Sequence, residues 1–241
     1  MRLEEARRDQ YRRLAKEEGY RSRAAYKLLE INRSFHIFRR GDKVLDIGCY
    51  PGGWLQVAGD AVGMDGLVIG VDVREMDVDG GRGRGRGQGE EDGGVGGGFG
   101  ANIRFIRMSV EDDALAARIR AVGVNGTVDV ILSDVSPNLS GIWSLDHARQ
   151  IHLSRRVLDL ARVLLKHDGI AVLKVFDGDM LREFINDARR CFKRVYVYKP
   201  KASRKESSEL YLVCKGFRPA VKSNRSGKGA DDVNRIEKIG S

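Results

Sequence analysis

Short runs of Val, Ile and Leu punctuate the chain at DKVLDIG (42–48), GLVIGVD (66–72), NIRFIRM (102–108), VDVILSD (128–134) and IAVLKVF (170–176). Runs this brief and this rich in β-branched residues are the pattern of strands buried on both faces of a parallel sheet. Between them, apolar residues recur at helical spacing over Trp54–Val62, Glu111–Ala121 and Leu145–Leu165. A further helix, Met180–Cys191, precedes two last strands, RVYVYKP (194–200) and ELYLVCKGF (209–217). Only a short basic segment separates these two, so they are expected to pair as an antiparallel hairpin. Residues 1–39 read as helical, with Ala24, Leu28 and Leu29 in an apolar stripe. Strands alternating with helices predict an α/β fold with a doubly wound sheet, its ligands at the carboxyl ends of the strands.

Two segments break the pattern. GGRGRGRGQGEEDGGVGGGFG (80–100) holds twelve of the 30 glycines and no apolar period, so a flexible insertion is expected there. Its Arg82, Arg84 and Arg86 are of the arginine-glycine kind that touches RNA, although a solvated loop explains them as well. The tail over 218–241 is polar and charged and is expected to be disordered. That leaves one domain over 1–217, with 1–39 as a basic helical arm.

Composition narrows the class. The chain has 241 residues, 41% hydrophobic and 32% charged, enough for one substantial core. It has no run of about 18 apolar residues, and its charged start lacks the apolar core of a secretory signal. Cys49, Cys191 and Cys214 are scattered, with no ligand-spaced partners, so neither a disulfide framework nor a metal site is expected. These features point to a cytoplasmic protein without membrane partners. The formal net charge of +9 favours a polyanionic partner. The basic residues crowd the arm (Arg7, Arg8, Arg12, Arg13, Lys16, Arg21, Arg23, Lys27) and recur at Lys199, Lys201, Arg204 and Lys205.

The stretch DIGCYPGGW (46–54) reads as a strand end, a glycine turn and a helix start. A Walker A loop needs a Lys after its last glycine, but here Trp54 and Leu55 follow. A dinucleotide turn needs a second glycine where this chain has Tyr50. Glycines at 48, 52 and 53 remain, with Asp72 at the end of the second strand able to accept from two ribose hydroxyls. Together they suit an adenosine with a non-phosphate substituent, of which S-adenosylmethionine is the common case. A turn that serves only strand–helix packing is the plain alternative. The fourth strand ends at Asp134 in SDVSPN, and the fifth places Lys174 inside an apolar run, where an unpaired ammonium is costly.

RSRAAYKLLEI (21–31), DIGCYPGGW (46–54), SDVSPNLSG (133–141), LKVF (173–176) and SRKESSELYLV (203–213) resemble, in order, the motifs of the RrmJ/FtsJ-like (RlmE) RNA ribose 2'-O-methyltransferases. The resemblance runs from about residue 20 to 217. It implies a Rossmann-like methyltransferase fold with a mostly parallel seven-stranded sheet and a C-terminal antiparallel hairpin. It implies a catalytic tetrad of Lys27, Asp134, Lys174 and Glu209, all present here. It also implies an S-adenosylmethionine pocket drawing on Gly48, Gly52, Trp54, Asp72 and Asp134. The family's bacterial members carry an aspartate near the adenine amino group, where this chain has Ser109; its hydroxyl, Glu111 or Asp112 are the available substitutes. Lys174 either accepts the hydroxyl proton or, if protonated, orients the hydroxyl and steadies its developing charge. Asp134 would orient Lys174, Glu209 would fix a lysine, and Lys27 would steady substrate phosphate or ribose. The implied substrate is a uridine of large-subunit ribosomal RNA, in the ribosomal subunit. A tRNA substrate and a non-catalytic role in ribosome assembly are the alternatives.

Overall fold

A computed structural model of the chain describes residues 3–76, 99–123, 126–204 and 206–219. Residues 77–98, which hold most of the glycine-rich insertion, and the tail from 220 onward lie outside the described residues. Phe99 and Gly100, the last two residues of that insertion, are described. Phe99 is packed, with the Arg21 guanidinium 4.1 Å over its ring.

The predicted N-terminal helix is two helices, α1 (Leu3–Glu17) and α2 (Ala25–Phe35). The break has a local cause. Gly19 takes φ +76°, Gly19 N–H donates to the Lys16 carbonyl, and Tyr20 N–H donates to that of Ala15. This pair of bonds closes a helix end over a left-handed glycine. Then follow β1 (Lys43–Ile47), α3 (Gly53–Val62), β2 (Leu67–Asp72), β3 (Ile103–Arg107), α4 (Leu115–Ala121) and β4 (Val128–Ser133). The chain continues through α5 (Trp143–Leu164), β5 (Leu165–Phe176), α6 (Leu181–Cys191), β6 (Phe192–Tyr198) and β7 (Glu209–Phe217).

Most boundaries lie within two residues of the sequence pattern, and two differ by more. The helix expected from Glu111 begins at Leu115, because the Asp112 carboxylate accepts from Ala114 N–H and holds the preceding residues in a turn. The fifth strand starts at Leu165 rather than Ile170. Its ladder pairs Leu165 with Val128, then Ile170 with Val130, so the residues between bulge outward through Asp168 at φ +60°.

The sheet has seven strands in the order β3-β2-β1-β4-β5-β7-β6. β1 pairs with β2 and β4, β2 with β3, and β4 with β5, all parallel. β7 lies between β5 and β6 and is antiparallel to both. The strand order reverses between β1 and β4, where an open α/β sheet forms its ligand crevice. One face packs on α4, α5 and α6 through residues such as Phe184, Leu158 and Leu173. The other packs on α2 and α3 through Leu28, Ile31, Trp54 and Val172. Leu28 and Ile31 are fully buried, and burial of each side chain contributes about 1.5–3 kcal/mol. That burial holds α2, and so Lys27, against the sheet.

Candidate active site

The turn after β1 closes tightly on the end of β4. Gly48 has φ +75°, and a Cβ there would lie 2.6 Å from the Val135 Cα, so only glycine allows this approach. Beside the turn, a cleft of about 740 Å³ opens at the carboxyl ends of β1, β2 and β4. Gly48, Asp72, Ser109, Asp134 and Lys174 all line it. Gly52 and Trp54 do not. A Cβ on Gly52 would meet the Phe99 ring. Trp54 is buried, donates through Nε1 to the Ala24 carbonyl at 2.9 Å, and sets its ring 5.7 Å from that of Tyr211.

Asp72 is already engaged. Its Oδ2 accepts from Tyr50 N–H at 3.0 Å, and Oδ1 accepts from Arg74 N–H at 2.9 Å and Arg74 Nε at 3.2 Å. The Arg74 guanidinium also lies 4.1 Å over the Tyr50 ring. Ser109 Oγ accepts from Glu111 N–H.

The deep wall of the cleft is polar. Antiparallel register sets Lys174 opposite Tyr211 and Phe176 opposite Glu209. Alternation along a strand then puts Lys174, Tyr211 and Glu209 on the face that α2 covers. Lys174 Nζ donates to the Asp134 carbonyl at 2.5 Å and lies 3.3 Å from Asp134 Oδ1. Lys27 Nζ donates to Glu209 Oε1 at 2.5 Å, and Ser203 Oγ donates to the same oxygen. Both lysines are buried, at 8% and 6% exposure, so these partners offset a large desolvation cost.

The structure therefore brings all four tetrad residues together. It adds two groups that the sequence reading missed. Tyr211 Oη lies 2.8 Å from Asp134 Oδ1 and 3.1 Å from Glu209 Oε1, and it accepts from Lys27 Nζ at 3.3 Å. Burial and the negative charges of Asp134 and Glu209 push the phenol well up, so Tyr211 stays a donor. Its signal was its place two residues after Glu209, on the same strand face. At Asp134 burial acts upward, but the Lys174 and Lys27 charges and the Tyr211 bond together outweigh it, and the carboxyl is lowered. The second missed group is Asp46, fully buried, with no hydrogen-bond partner for either oxygen among the described residues. Burial, then the charges of Asp134 and Asp72, push its carboxyl well above the usual carboxylate range.

A buried amide braces Lys174 from the opposite side. Gln150 Nε2 on α5 donates to the Lys174 carbonyl at 3.0 Å and lies 3.2 Å from that of Val135. It thereby ties the ends of β4 and β5 together.

The model of FtsJ-like methyltransferases matches residues 20–217, a span that holds Lys27, Asp134, Lys174, Glu209 and Tyr211. The chain belongs to this family. This FtsJ-like methyltransferase is 44% identical over 207 residues to the ribosomal RNA large subunit methyltransferase E of Methanothrix thermoacetophila, covering 86% of this chain and 72% of that protein. It is 42% identical to the protein of the same name from Cenarchaeum symbiosum, covering 90% of this chain and 100% of that one. A crystal structure of a ribosomal RNA methyltransferase from Plasmodium falciparum superposes with a TM-score of 0.66 at 26% identity, over 82% of this chain and 98% of that one. The reaction class requires a methyl donor. Among the described residues no helix is long and apolar enough to cross a membrane, and no group of three His, Cys, Asp or Glu could hold a metal ion.

Proposed function

We propose that this FtsJ-like methyltransferase moves the methyl of S-adenosylmethionine to the 2'-hydroxyl of a uridine in large-subunit ribosomal RNA. One observation carries the reading: a buried lysine, Lys174, is bonded to Asp134 where the wall of the cleft meets the tetrad. The names of the relatives support the substrate.

The residues present fit this donor. Asp72 and the ionised Asp134 give the cleft an acidic lining suited to a ribose and a sulfonium. Gly48 brings backbone close, and Ser109 offers a hydroxyl to the adenine. Gly52 and Trp54 support the turn from behind. When bound, S-adenosylmethionine supplies a methyl activated by its sulfonium charge.

Lys174 Nζ already faces two acceptors, and in its ammonium form one N–H is left for the 2'-oxygen. We assign it the orienting part rather than that of a base: its N–H holds the 2'-oxygen so that a lone pair is aligned on the methyl. As the C–O bond forms the C–S bond breaks, its electron pair stays on sulfur as a neutral thioether, and the hydroxyl proton leaves to water. Asp134 fixes Lys174, Tyr211 fixes Asp134, and the Lys27–Glu209 pair anchors Tyr211. Lys27 is thereby a support of the site, turned inward rather than toward a phosphate.

RNA backbone is held by the basic segment between β6 and β7. Lys201 N–H donates to both oxygens of Glu30 on α2, and Tyr198 Oη donates to one of them. The segment that carries Lys199, Lys201 and Arg204 is thus anchored beside the helix bearing Lys27.

Transfer from labelled S-adenosylmethionine to unmethylated large subunits, naked ribosomal RNA and tRNA tests the reading, with Lys174→Ala as control. Label in the subunit at an alkali-resistant linkage, absent from the variant, is expected. Label confined to tRNA overturns the substrate. No label in any RNA, with the cofactor bound, overturns the reaction.

A further inference from the structure

Beyond the cleft, the chain leaving β4 carries apolar side chains outward. Ser136, Pro137 and Asn138 line the cleft. Leu139, Ile142 and Trp143 follow, 67%, 59% and 51% exposed. Three large apolar side chains turned to water within five residues mark a contact surface.

The segment is built rather than loose. Asp146, buried in the first turn of α5, accepts from Ser140 N–H at 2.8 Å, Ser140 Oγ at 2.7 Å and Gly141 N–H at 3.1 Å. Ser140 Oγ in turn accepts from Ile142 N–H. Charge-assisted bonds of this kind are about twice as strong as neutral ones. They hold the apolar side chains in place before anything binds.

Trp143 is also backed by rings. Phe176 lies 6.0 Å away at 27°, and His147 lies 6.0 Å away at 25°. Both are buried, whereas Trp143 keeps 51% of its surface exposed. Phe176 is two residues past Lys174 on the same face of β5, a rise of about 7 Å. The indole that rests on Phe176 is therefore placed at the outer end of the strand that carries Lys174, five residues past the cleft-lining Asn138.

We infer that Trp143, flanked by Ile142 and Leu139, is a stacking subsite for an unpaired base of the RNA, next to the methylated nucleotide. This inference rests on the proposed RNA substrate. The size of the patch selects the occupant. A stable protein interface buries roughly 1,200–2,000 Å², whereas this patch is one indole with Leu139, Ile142 and the less exposed Leu145 around it, interrupted by Ser140 and Ser144. An indole face matches a base, and single-stranded RNA is recognised by stacking its splayed bases on aromatic side chains. Arg149, which donates to the Asn138 carbonyl at 3.5 Å, sets a cation beside the loop for the accompanying phosphate.

Two measurements on the full chain test this. In methyl transfer to unmethylated large subunits, Trp143→Ala should raise KM for the subunit about tenfold, the scale of one lost base–aromatic stack. Its kcat and its affinity for S-adenosylmethionine should stay near wild type. Trp143→Phe should restore most of the loss and Trp143→Leu should not. Equal rescue by Leu, or an unchanged KM in Trp143→Ala, overturns the subsite. So does a change in oligomeric state with unaltered RNA binding, which would mark the patch as a protein contact. Independently of turnover, oligouridylate should quench tryptophan fluorescence in the wild type but not in Trp143→Phe, where only the buried Trp54 of the two tryptophans remains. Equal signals in both proteins overturn the inference. Quenching without methyl transfer to any RNA would instead overturn the proposed reaction and leave the subsite standing.

Discussion

Tyr211 Oη lies 2.8 Å from Asp134 Oδ1, and through this bond the last strand of the sheet reaches the carboxylate that holds Lys174. The phenol also faces Glu209 Oε1 at 3.1 Å. A single phenol group therefore joins the Asp134–Lys174 pair to the Lys27–Glu209 pair.

Tyr211→Phe removes that joint and leaves the ring packing in place. Asp134 loses a donor, and a hydrogen bond to a charged group is worth about 1.5–3 kcal/mol. Urea unfolding should show a loss in that range. Methyl-transfer kinetics should show a kcat lower by roughly tenfold, with cofactor affinity nearly unchanged. A variant with wild-type kcat would show that Tyr211 holds the fold but not the site.

Lys27→Met leaves the Glu209 carboxylate facing a buried apolar side chain. Breaking a buried pair on one side costs about 3–5 kcal/mol. The double variant Lys27→Met/Glu209→Gln should be more stable than Lys27→Met alone, because it removes the stranded charge. Strict additivity of the two changes in thermal or urea unfolding would contradict the pairing.

Asp134 and Asp46 give opposite signs with pH. The folded state lowers the Asp134 carboxyl, so its stabilising contribution is present above the unfolded value of about 3.9 and is lost as pH falls through the folded one. The folded state raises Asp46, so its contribution is present below about 3.9 and is lost as pH rises toward its folded value. Asp46→Asn should therefore gain stability relative to the wild type as pH is raised from 3 to 7. Unfolding midpoints measured across that range would reveal the trend, and a constant difference would refute the raised Asp46 carboxyl.

Arg74 occupies the Asp72 oxygen that a ribose hydroxyl would use, and its side chain is largely exposed. Exposed ion pairs are worth about 0–1 kcal/mol. Calorimetry with S-adenosylmethionine should accordingly find Arg74→Ala binding up to about fivefold more tightly. Asp72→Asn should bind more weakly by about tenfold or more. Weaker binding by Arg74→Ala would make the arginine part of the cofactor site.

The strands of the sheet were legible because each is a short apolar run, and their alternation with helices gave the doubly wound order. The grouping of Lys27, Asp134, Lys174 and Glu209 was legible only through ordered motifs, since Lys27 and Glu209 lie far apart in sequence and meet through the packing of α2 on the sheet. Tyr211 escaped notice because an aromatic residue in an apolar strand looks like core; only the register opposite Lys174 gives its hydroxyl a purpose. Asp46 was hidden inside a motif read for its glycines. The division of the N-terminal segment at Gly19 was missed because charged residues continue across the break and mask the glycine that ends α1. Gly52 and Trp54 stand behind the cleft wall, a distinction of depth that linear spacing does not carry.

β7, the last strand in sequence, is not at the edge of the sheet but lies between β5 and β6. Synthesis runs from the N-terminus, so Lys27, Asp134 and Lys174 all emerge before Glu209 and Tyr211. The centre consequently cannot be completed by a partly made chain, and the sheet has to admit its final strand before the five groups meet. A chain cut short before residue 209 therefore carries Gly48, Asp72, Asp134 and Lys174 of the cleft but lacks Glu209 and Tyr211, the two groups that engage Lys27.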